Sequence, residues 1–297
     1  MSDKMDCGSV ALASGATLRQ ALDYAIATFT SQDIENARQE AKWLLAHCLE
    51  CRPAELISLH NVILDDDTLK RIESYMQMRC QGIPLSRVLG VQEFWGLPMR
   101  LNAHTLDPRQ DTEMIPECVL KKLPKSFDGC CLDLGTGSGC IPITLLHEYN
   151  NMTAVAVDVS FEAISQATDN AIVNNVGDRF FPVCGSWAES LSGTFPLIVS
   201  NPPYIASEEI KNLHQNVKNH DPILALDGGP DGFQSLKQII SALKKHLSKD
   251  GYAFIEIGIN QVEEMERLIE ESGLPRPDVH LDSAGIPRVV EISYGDK

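Results

Sequence analysis

Cys130-Cys-Leu-Asp-Leu-Gly-Thr-Gly-Ser-Gly-Cys140 decides the fold. A short apolar run, Cys130 to Leu134, ends in three alternate glycines, Gly135, Gly137 and Gly139, and an apolar helical stretch starts at Cys140. The pattern reads as strand, sharp turn and helix, because glycine lets the backbone turn tightly and lets a ligand approach with no Cβ in the way. A dinucleotide fingerprint requires a further glycine three residues after its second, and Cys140 stands there instead, so a pyrophosphate is disfavoured. Asp158 sits at the end of the next apolar run, Ala154 to Val159, where an acidic side chain can accept hydrogen bonds from both hydroxyls of a ribose. An adenosine-containing cofactor therefore fits, held by Gly135, Thr136, Gly137, Ser138, Gly139 and Asp158. Asp133 either faces a cationic end of that cofactor or orients the turn; Trp187 either flanks the adenine or packs in the core.

Outward from this turn the alternation continues. The pattern predicts a helix from Phe161, strands over Phe180–Cys184 and Leu197–Ser200, and a helix over Phe233–Leu247. It then predicts a strand over Tyr252–Ile257, a helix over Gln261–Glu271, and strands near Val279 and over Arg288–Ser293. Alternating strands and helices imply an α/β fold with a doubly wound, mainly parallel sheet and ligands at the strand carboxyl ends. Earlier in the chain, from about Thr17 to Arg79, the apolar spacing is helical. Ala21, Tyr24 and Ala25 share one face, as do Ala41, Leu44, Leu45 and Cys48. Pro53 can start a helix carrying Leu56, Ile57 and Leu59, and Asp65-Asp-Asp-Thr68 caps another that Gly82 and Pro84 terminate. A small helical bundle results, followed by a hairpin in which Gly96-Leu-Pro98 joins two short strands.

A second motif, Asn201-Pro-Pro-Tyr204, closes the apolar run Phe195 to Ser200. It offers an amide oxygen, backbone carbonyls and an aromatic ring. The lone pair of an amide or aromatic amine nitrogen is delocalised, so such a nitrogen is a poor nucleophile. Two acceptors gripping its hydrogens, the Asn201 side-chain oxygen and the Pro202 carbonyl, favour pyramidalisation and aim the lone pair. Pro202 and Pro203 stiffen the loop, and Tyr204 can stack on a planar substrate. With the glycine turn upstream, the pair reads as S-adenosylmethionine-dependent methyl transfer to a nitrogen of a planar group, with S-adenosylhomocysteine as product and no metal required. His214 and His220 read as loop histidines, since no strong general base is needed.

Composition bounds the partners. The 297 residues allow two domains. A net charge of -16, from 25 Lys and Arg against 41 Asp and Glu, opposes the phosphate attraction on which most nucleic-acid binding rests and favours a basic protein partner. Hydrophobic residues make up 43% and mean hydropathy is -0.11; no apolar run reaches membrane-span length. The polar start Met1 to Asp6 shows no secretory signal, and nine cysteines without regular spacing read as reduced thiols. A cytoplasmic monomer without membrane contact is expected. Cys48 and Cys51 form a C-x-x-C with no second pair to complete a zinc site, and the acidic triplet at Asp65 reads as a helix start rather than a metal site.

On these motifs the chain resembles the glutamine N5-methyltransferases of peptide chain release factors, the PrmC or HemK family. The resemblance spans nearly the whole chain. It includes Gly82-Ile-Pro84, Gly90-Val-Gln-Glu-Phe-Trp-Gly96, Pro108-Arg-Gln-Asp-Thr-Glu113, Leu226-Asp-Gly-Gly-Pro-Asp-Gly232, Glu256-Ile-Gly258 with Gln261, and Asp282-Ser-Ala-Gly-Ile-Pro-Arg288. It implies a helical substrate-recognition domain over 1–85, a β-hairpin linker over 86–107 and a Rossmann-like, seven-stranded class I methyltransferase domain over 108–297. The implied acceptor is the glutamine of the Gly-Gly-Gln loop of class I release factors. Asp133, Gly135 to Gly139, Asp158, Trp187 and Asn201 would face the cofactor, and Asn201, Pro202, Pro203 and Tyr204 the substrate. Asn201, Pro202 and Tyr204 would be catalytic. The family's Leu-Ile-Pro-Arg-Pro-Glu-Thr-Glu segment has Asp107 and Gln110 here in place of isoleucine and the second proline, and Arg109 can pair with Glu113 or with the acceptor's backbone. A nucleic-acid adenine or guanine N-methyltransferase would share the Asn201 motif but calls for a basic groove or a target-recognition domain; a scaffold that has lost activity would not need intact Asn201 and Asp158.

Overall fold

Thr17 starts the first helix by a reciprocal pair of hydrogen bonds: its hydroxyl accepts from Gln20 N and its own N–H donates to Gln20 Oε1 at 2.8 Å. In the computed structural model, which describes residues 12–294, this helix, α1, spans Leu18–Ser31 and is followed by α2 (Ala37–Cys48), α3 (Asp66–Cys80) and α4 (Leu85–Leu89). Met1 to Asp6, read above for a targeting signal, lies outside the described residues. Asp65 caps α3, accepting from Thr68 N at 2.7 Å. The expected apolar faces meet: Leu18, Phe29, Leu44, Leu45 and Ile72 are fully buried in one core. Arg79 of α3 pairs with Glu40 of α2 at 2.5 Å where both side chains are largely buried. Pro53 opens only a single 3₁₀ turn, Pro53–Ile57, rather than a helix reaching Leu59; Leu56 is buried while Ile57 is exposed. The four helices form one compact unit that ends at Gly90, and a second begins at Val91.

The second unit opens with a hairpin, β1 (Val91–Phe94) and β2 (Leu97–Arg100). Its turn is Trp95-Gly96, not Gly96-Leu-Pro98. Both turn residues have positive φ, 56° and 73°, as a two-residue hairpin turn demands. Trp95 tolerates that backbone because it is tied down twice, its N–H donating to Glu113 Oε1 at 2.8 Å and its indole N–H to Glu148 Oε1 at 2.9 Å. Helix α5 (Met114–Lys122) follows; its Pro116 sits in the first turn, where a missing N–H costs nothing, and hides the helix from a sequence reading.

Then comes the alternation: β3 (Cys130–Leu134), α6 (Cys140–Glu148), β4 (Thr153–Asp158), α7 (Phe161–Val173), β5 (Phe180–Cys184) and β6 (Phe195–Ser200). After a short helix α8 (Gln215–His220) the chain continues through α9 (Gln234–His246), β7 (Leu247–Glu256), α10 (Val262–Ser272), β8 (Asp278–Leu281) and β9 (Pro287–Ser293). The seven strands from β3 onward form one sheet in the order β5-β4-β3-β6-β7-β9-β8. The first five in this order run parallel, and β9 pairs antiparallel with both its neighbours. The expected doubly wound sheet is present. Side chains alternate across it: Leu132, Leu134, Ile198 and Ile255 pack with Leu236, Ile239 and Met265 on one face. Cys131, Leu197, Val199 and Phe254 pack with Ile115, Ile143, Leu146 and Ala167 on the other. Burying both faces is what continuous apolar strands require. No helix among the described residues is long and apolar enough to cross a membrane.

Candidate active site

The order of the sheet makes the site. The chain leaves β3 toward β4 on one side and returns to place β6 on the other, so the turn after β3 and the turn after β6 emerge side by side at the carboxyl edge, where such folds bind ligands. Ser200 ties the two ends together, its hydroxyl donating to Leu134 O at 2.6 Å. A cavity of about 640 Å³ opens there, lined by Gly135 to Ser138, Asp158, Trp187, Asn201 and Pro203, with Arg109 and Thr112 on one wall and Pro222 to Ala225 on another.

The three turn glycines do different work. Gly135, Gly137 and Gly139 all have positive φ, 78°, 54° and 81°. A Cβ at Gly137 would stand in open space, and one at Gly135 would meet only Trp187, at 3.7 Å. These two form a bare backbone cradle on the cavity. A Cβ at Gly139 would lie 2.9 Å from Ile143 and 3.1 Å from Ala167, so Gly139 is bare because α6 and α7 pack closely there. Asp158 anchors the cradle, with Oδ2 accepting from Gly137 N at 2.8 Å and Oδ1 from Ser160 N at 2.9 Å. Burial raises its pKa and the backbone donors oppose that shift. Each oxygen keeps a second lone pair for a ligand hydroxyl. Trp187 lines the cavity from a left-handed backbone position, φ 48°, a conformation bulky residues adopt only where the surroundings enforce it.

Asp133 is placed differently from its neighbours. It is 1% exposed, is not among the cavity-lining residues, and neither carboxylate oxygen has a well-formed hydrogen bond. Burial, opposed in part by the Thr136 hydroxyl, pushes its carboxyl up to about 7. A bare cradle, an acidic strand end with spare lone pairs and an orphaned carboxyl behind the turn fit a ligand with vicinal hydroxyls and a cationic group.

On the acceptor side, Asn201 Nδ2 donates to Thr112 Oγ1 at 3.0 Å, which leaves the amide oxygen as the group for the cavity. Pro203 lines the cavity, whereas Pro202 is buried behind it. Tyr204 does not line the cavity either: its hydroxyl donates to Glu256 Oε1 at 3.2 Å. The Tyr204 carbonyl accepts from Gln261 Nε2 at 3.0 Å, and Gln261 Oε1 accepts from Gly258 N at 2.8 Å. The Leu226 to Gly232 loop packs so tightly here that a Cβ on Gly228 would come within 2.9 Å of Tyr204 Cα. Arg109 faces Asp221 at 3.8 Å, while Glu113 holds Trp95 N.

Residue 20–90 matches the PrmC N-terminal domain family, and residues 113–229 match the methyltransferase small domain family. The release factor glutamine methyltransferase of Bradyrhizobium diazoefficiens is 38% identical over 282 residues, covering 93% of this chain and 95% of that protein. That of Geobacter sulfurreducens is 34% identical, covering 92% and 95%. The chain belongs to the release factor glutamine methyltransferase family. It is therefore a methyltransferase. Among solved structures, the hMettl16 catalytic domain superposes with a TM-score of 0.56 at 18% identity over 80% of this chain and 85% of that one, a likeness of fold.

Several residues of the site carry no signal of their own in the sequence. Asn170, fully buried on α7, accepts from Arg100 N at 2.9 Å and donates to Arg100 O at 3.0 Å and Ser138 O at 2.9 Å, so one amide holds both the hairpin and the glycine turn. Thr112 meets Asn201 across 89 positions of sequence. Ile223 and Leu224 line the cavity although both are more than 60% exposed. Only their apolar character in a loop was available to find them.

Proposed function

We propose that this chain transfers a methyl group from S-adenosylmethionine to the side-chain amide nitrogen of the glutamine in the Gly-Gly-Gln motif of class I peptide chain release factors. The observation that supports this most is the meeting of the bare glycine cradle and the Asn201 amide oxygen in one cavity. S-adenosylmethionine supplies a methyl group on a sulfonium, an electrophile whose bonding pair stays with sulfur. Gly135 and Gly137 admit it to the backbone, Asp158 accepts from its ribose hydroxyls, and Trp187 offers an aromatic face to its adenine. The buried Asp133 carboxyl complements the cationic amino-acid end.

The remaining chemistry is positional. The Asn201 oxygen, with the adjoining Pro202 carbonyl, takes the two hydrogens of the substrate amide and aims its lone pair; holding reactants in line lowers a barrier by several kcal/mol, on the order of 7 or more in favourable cases. The methylated amide then sheds a proton to water. We assign Tyr204 to holding this loop through Glu256 rather than to stacking on the substrate. The helical unit is proposed as the module that recognises the release factor. Labelled methyl transfer to a purified release factor, with the modified residue located by mass spectrometry, tests the reading. Asn201→Ala is expected to cut kcat on the order of 10²-fold while cofactor affinity stays within a few-fold; kcat near wild type would remove Asn201 from the mechanism.

A further inference from the structure

On one wall of the cavity two aliphatic side chains stand in water. Ile223 is 63% exposed and Leu224 61%, and both line the cavity that holds Asn201. Exposure forgoes the stabilisation that burying such side chains gives, and a loose loop would fold them away. This loop is tied down. The N–H of Ala225 donates to Pro222 O, and those of Leu226 and Asp227 both donate to Ile223 O, each at 2.9 Å. The next side chain, Leu226, is 3% exposed and pegs the turn into the protein. The turn is fastened to the acceptor side in particular. Ile205, just beyond the Asn201 motif, donates its N–H to Leu226 O at 3.1 Å and accepts from Gly228 N at 2.8 Å, a parallel bridge to Asp227. Asp227 Oδ1 accepts in turn from the Ser207 hydroxyl at 2.7 Å and from Gly229 N at 2.9 Å. Ile223 and Leu224 therefore hold a fixed place relative to Asn201. The cofactor end has an exposed aliphatic residue of its own, Val159, next to Asp158.

An aliphatic lip selects by what it cannot pair. With the N–H groups of Ala225, Leu226 and Asp227 spent inside the turn, the Ile223 and Leu224 side chains offer a ligand methyl and methylene contact. A charge set against them loses water and gains no partner, at far greater cost than a neutral amide in the same place. Free glutamine carries an ammonium and a carboxylate close to its side-chain amide, whereas a glutamine inside a polypeptide is flanked by neutral peptide groups. Glycine beside it brings no side chain that would hold the main chain off the lip.

We propose that Ile223 and Leu224 form a specificity subsite that covers the neutral main chain next to the target glutamine and so selects a glutamine carried in a polypeptide. This rests on the reading of the Asn201 cavity as the acceptor site for that glutamine. The test compares wild type, Ile223→Ser/Leu224→Ser and Ile223→Val/Leu224→Met in steady-state methylation of a release factor, alongside calorimetric affinity for S-adenosylmethionine and thermal midpoints. Both positions are exposed, so the serine pair is expected to fold with a midpoint close to wild type. Its KM for the release factor is expected to rise about tenfold or more, with kcat at saturation and cofactor affinity within a few-fold, as when binding common to ground and transition states is removed. The Val/Met pair, which keeps the lip apolar, is expected to hold KM within a few-fold of wild type. A release factor with aspartate in place of the glycine before the target glutamine is expected to be discriminated against by wild type, and several-fold less by the serine pair, as for residues in contact. A wild-type KM in the serine pair, a KM raised as far in the Val/Met pair, a weakened cofactor affinity, or equal discrimination by wild type and the serine pair would each overturn the proposal. If the wild-type chain leaves the release factor's glutamine unmethylated, the reading of the acceptor site fails instead.

Discussion

At the scale of single residues, the two acidic strand ends have opposite tasks. Asp158 is half-buried at the cavity wall and already accepts two backbone N–H bonds. Replacing it by alanine removes a charge-assisted acceptor and frees the Gly137 N–H. At roughly 1.5–3 kcal/mol for such a bond, affinity for S-adenosylmethionine should fall about 10- to 100-fold. Calorimetry decides it, and an unchanged affinity would dismiss Asp158 as a ribose ligand. Asp133 is instead a cost carried by the fold. Its carboxyl is pushed up to about 7 by burial, with the Thr136 hydroxyl opposing and the Asp158 charge reinforcing the shift. A carboxyl raised above its unfolded value of about 3.9 binds more protons folded than unfolded in that interval, so its contribution to stability is lost as pH climbs from about 4 to 7. Asp133→Asn removes the titration. The thermal midpoint of the variant relative to wild type, without cofactor, should therefore be higher at pH 8 than at pH 5; a difference independent of pH would mean that Asp133 does not titrate in this range.

At the scale of elements, one buried amide links pieces far apart in sequence. Asn170 satisfies Arg100 N, Arg100 O and Ser138 O at once. Asn170→Ala leaves buried backbone groups unpaired, so unfolding free energy should drop by about 2–3 kcal/mol in urea titration. Cofactor affinity should weaken too, since Ser138 belongs to the cradle; full affinity in a folded variant would show that the cradle holds its shape without α7. The elements themselves were largely legible. The three glycines gave away the β3–α6 turn because only a bare backbone suits positive φ there, and β5 falls on Phe180–Cys184 as the apolar run predicts. Local pattern failed where a tertiary partner decides. Trp95 takes a left-handed turn position because Glu113 and Glu148 grip it, and nothing in Gln-Glu-Phe-Trp-Gly-Leu-Pro announces those partners. Helix α5 was silent because its proline reads as a breaker. At the cavity, the strand-end places of Asn201 and Asp158 were legible, whereas the contacts of Thr112 and Asn170 are ones no local spacing encodes. Tyr204 turns away from the cavity for the same reason: its partner, Glu256, lies 52 residues away.

At the scale of the whole molecule, the charge is unevenly shared. Residues 91–297 carry 29 Asp and Glu against 16 Lys and Arg, whereas residues 1–90 carry 12 against 9. Any long-range attraction for a basic partner would therefore come mainly from the second unit, and none of the described residues of the first lines the cavity. A chain beginning at Val91 keeps the cradle, Asp158 and both faces of the sheet core, so it should bind S-adenosylmethionine within a few-fold of the full chain once circular dichroism shows it folded. It should methylate a release factor poorly if the helical unit holds that substrate. The loss should appear in KM, not in the salt response. Charges screened over about 10 Å at 0.1 M salt slow association as salt rises, and with most of the acid excess retained, the truncated chain should show nearly the same slope of kcat/KM against ionic strength as the full one. A truncated chain with full kcat/KM would remove the helical unit from substrate recognition, whereas a flattened slope would place the attracting charge on the helical unit after all.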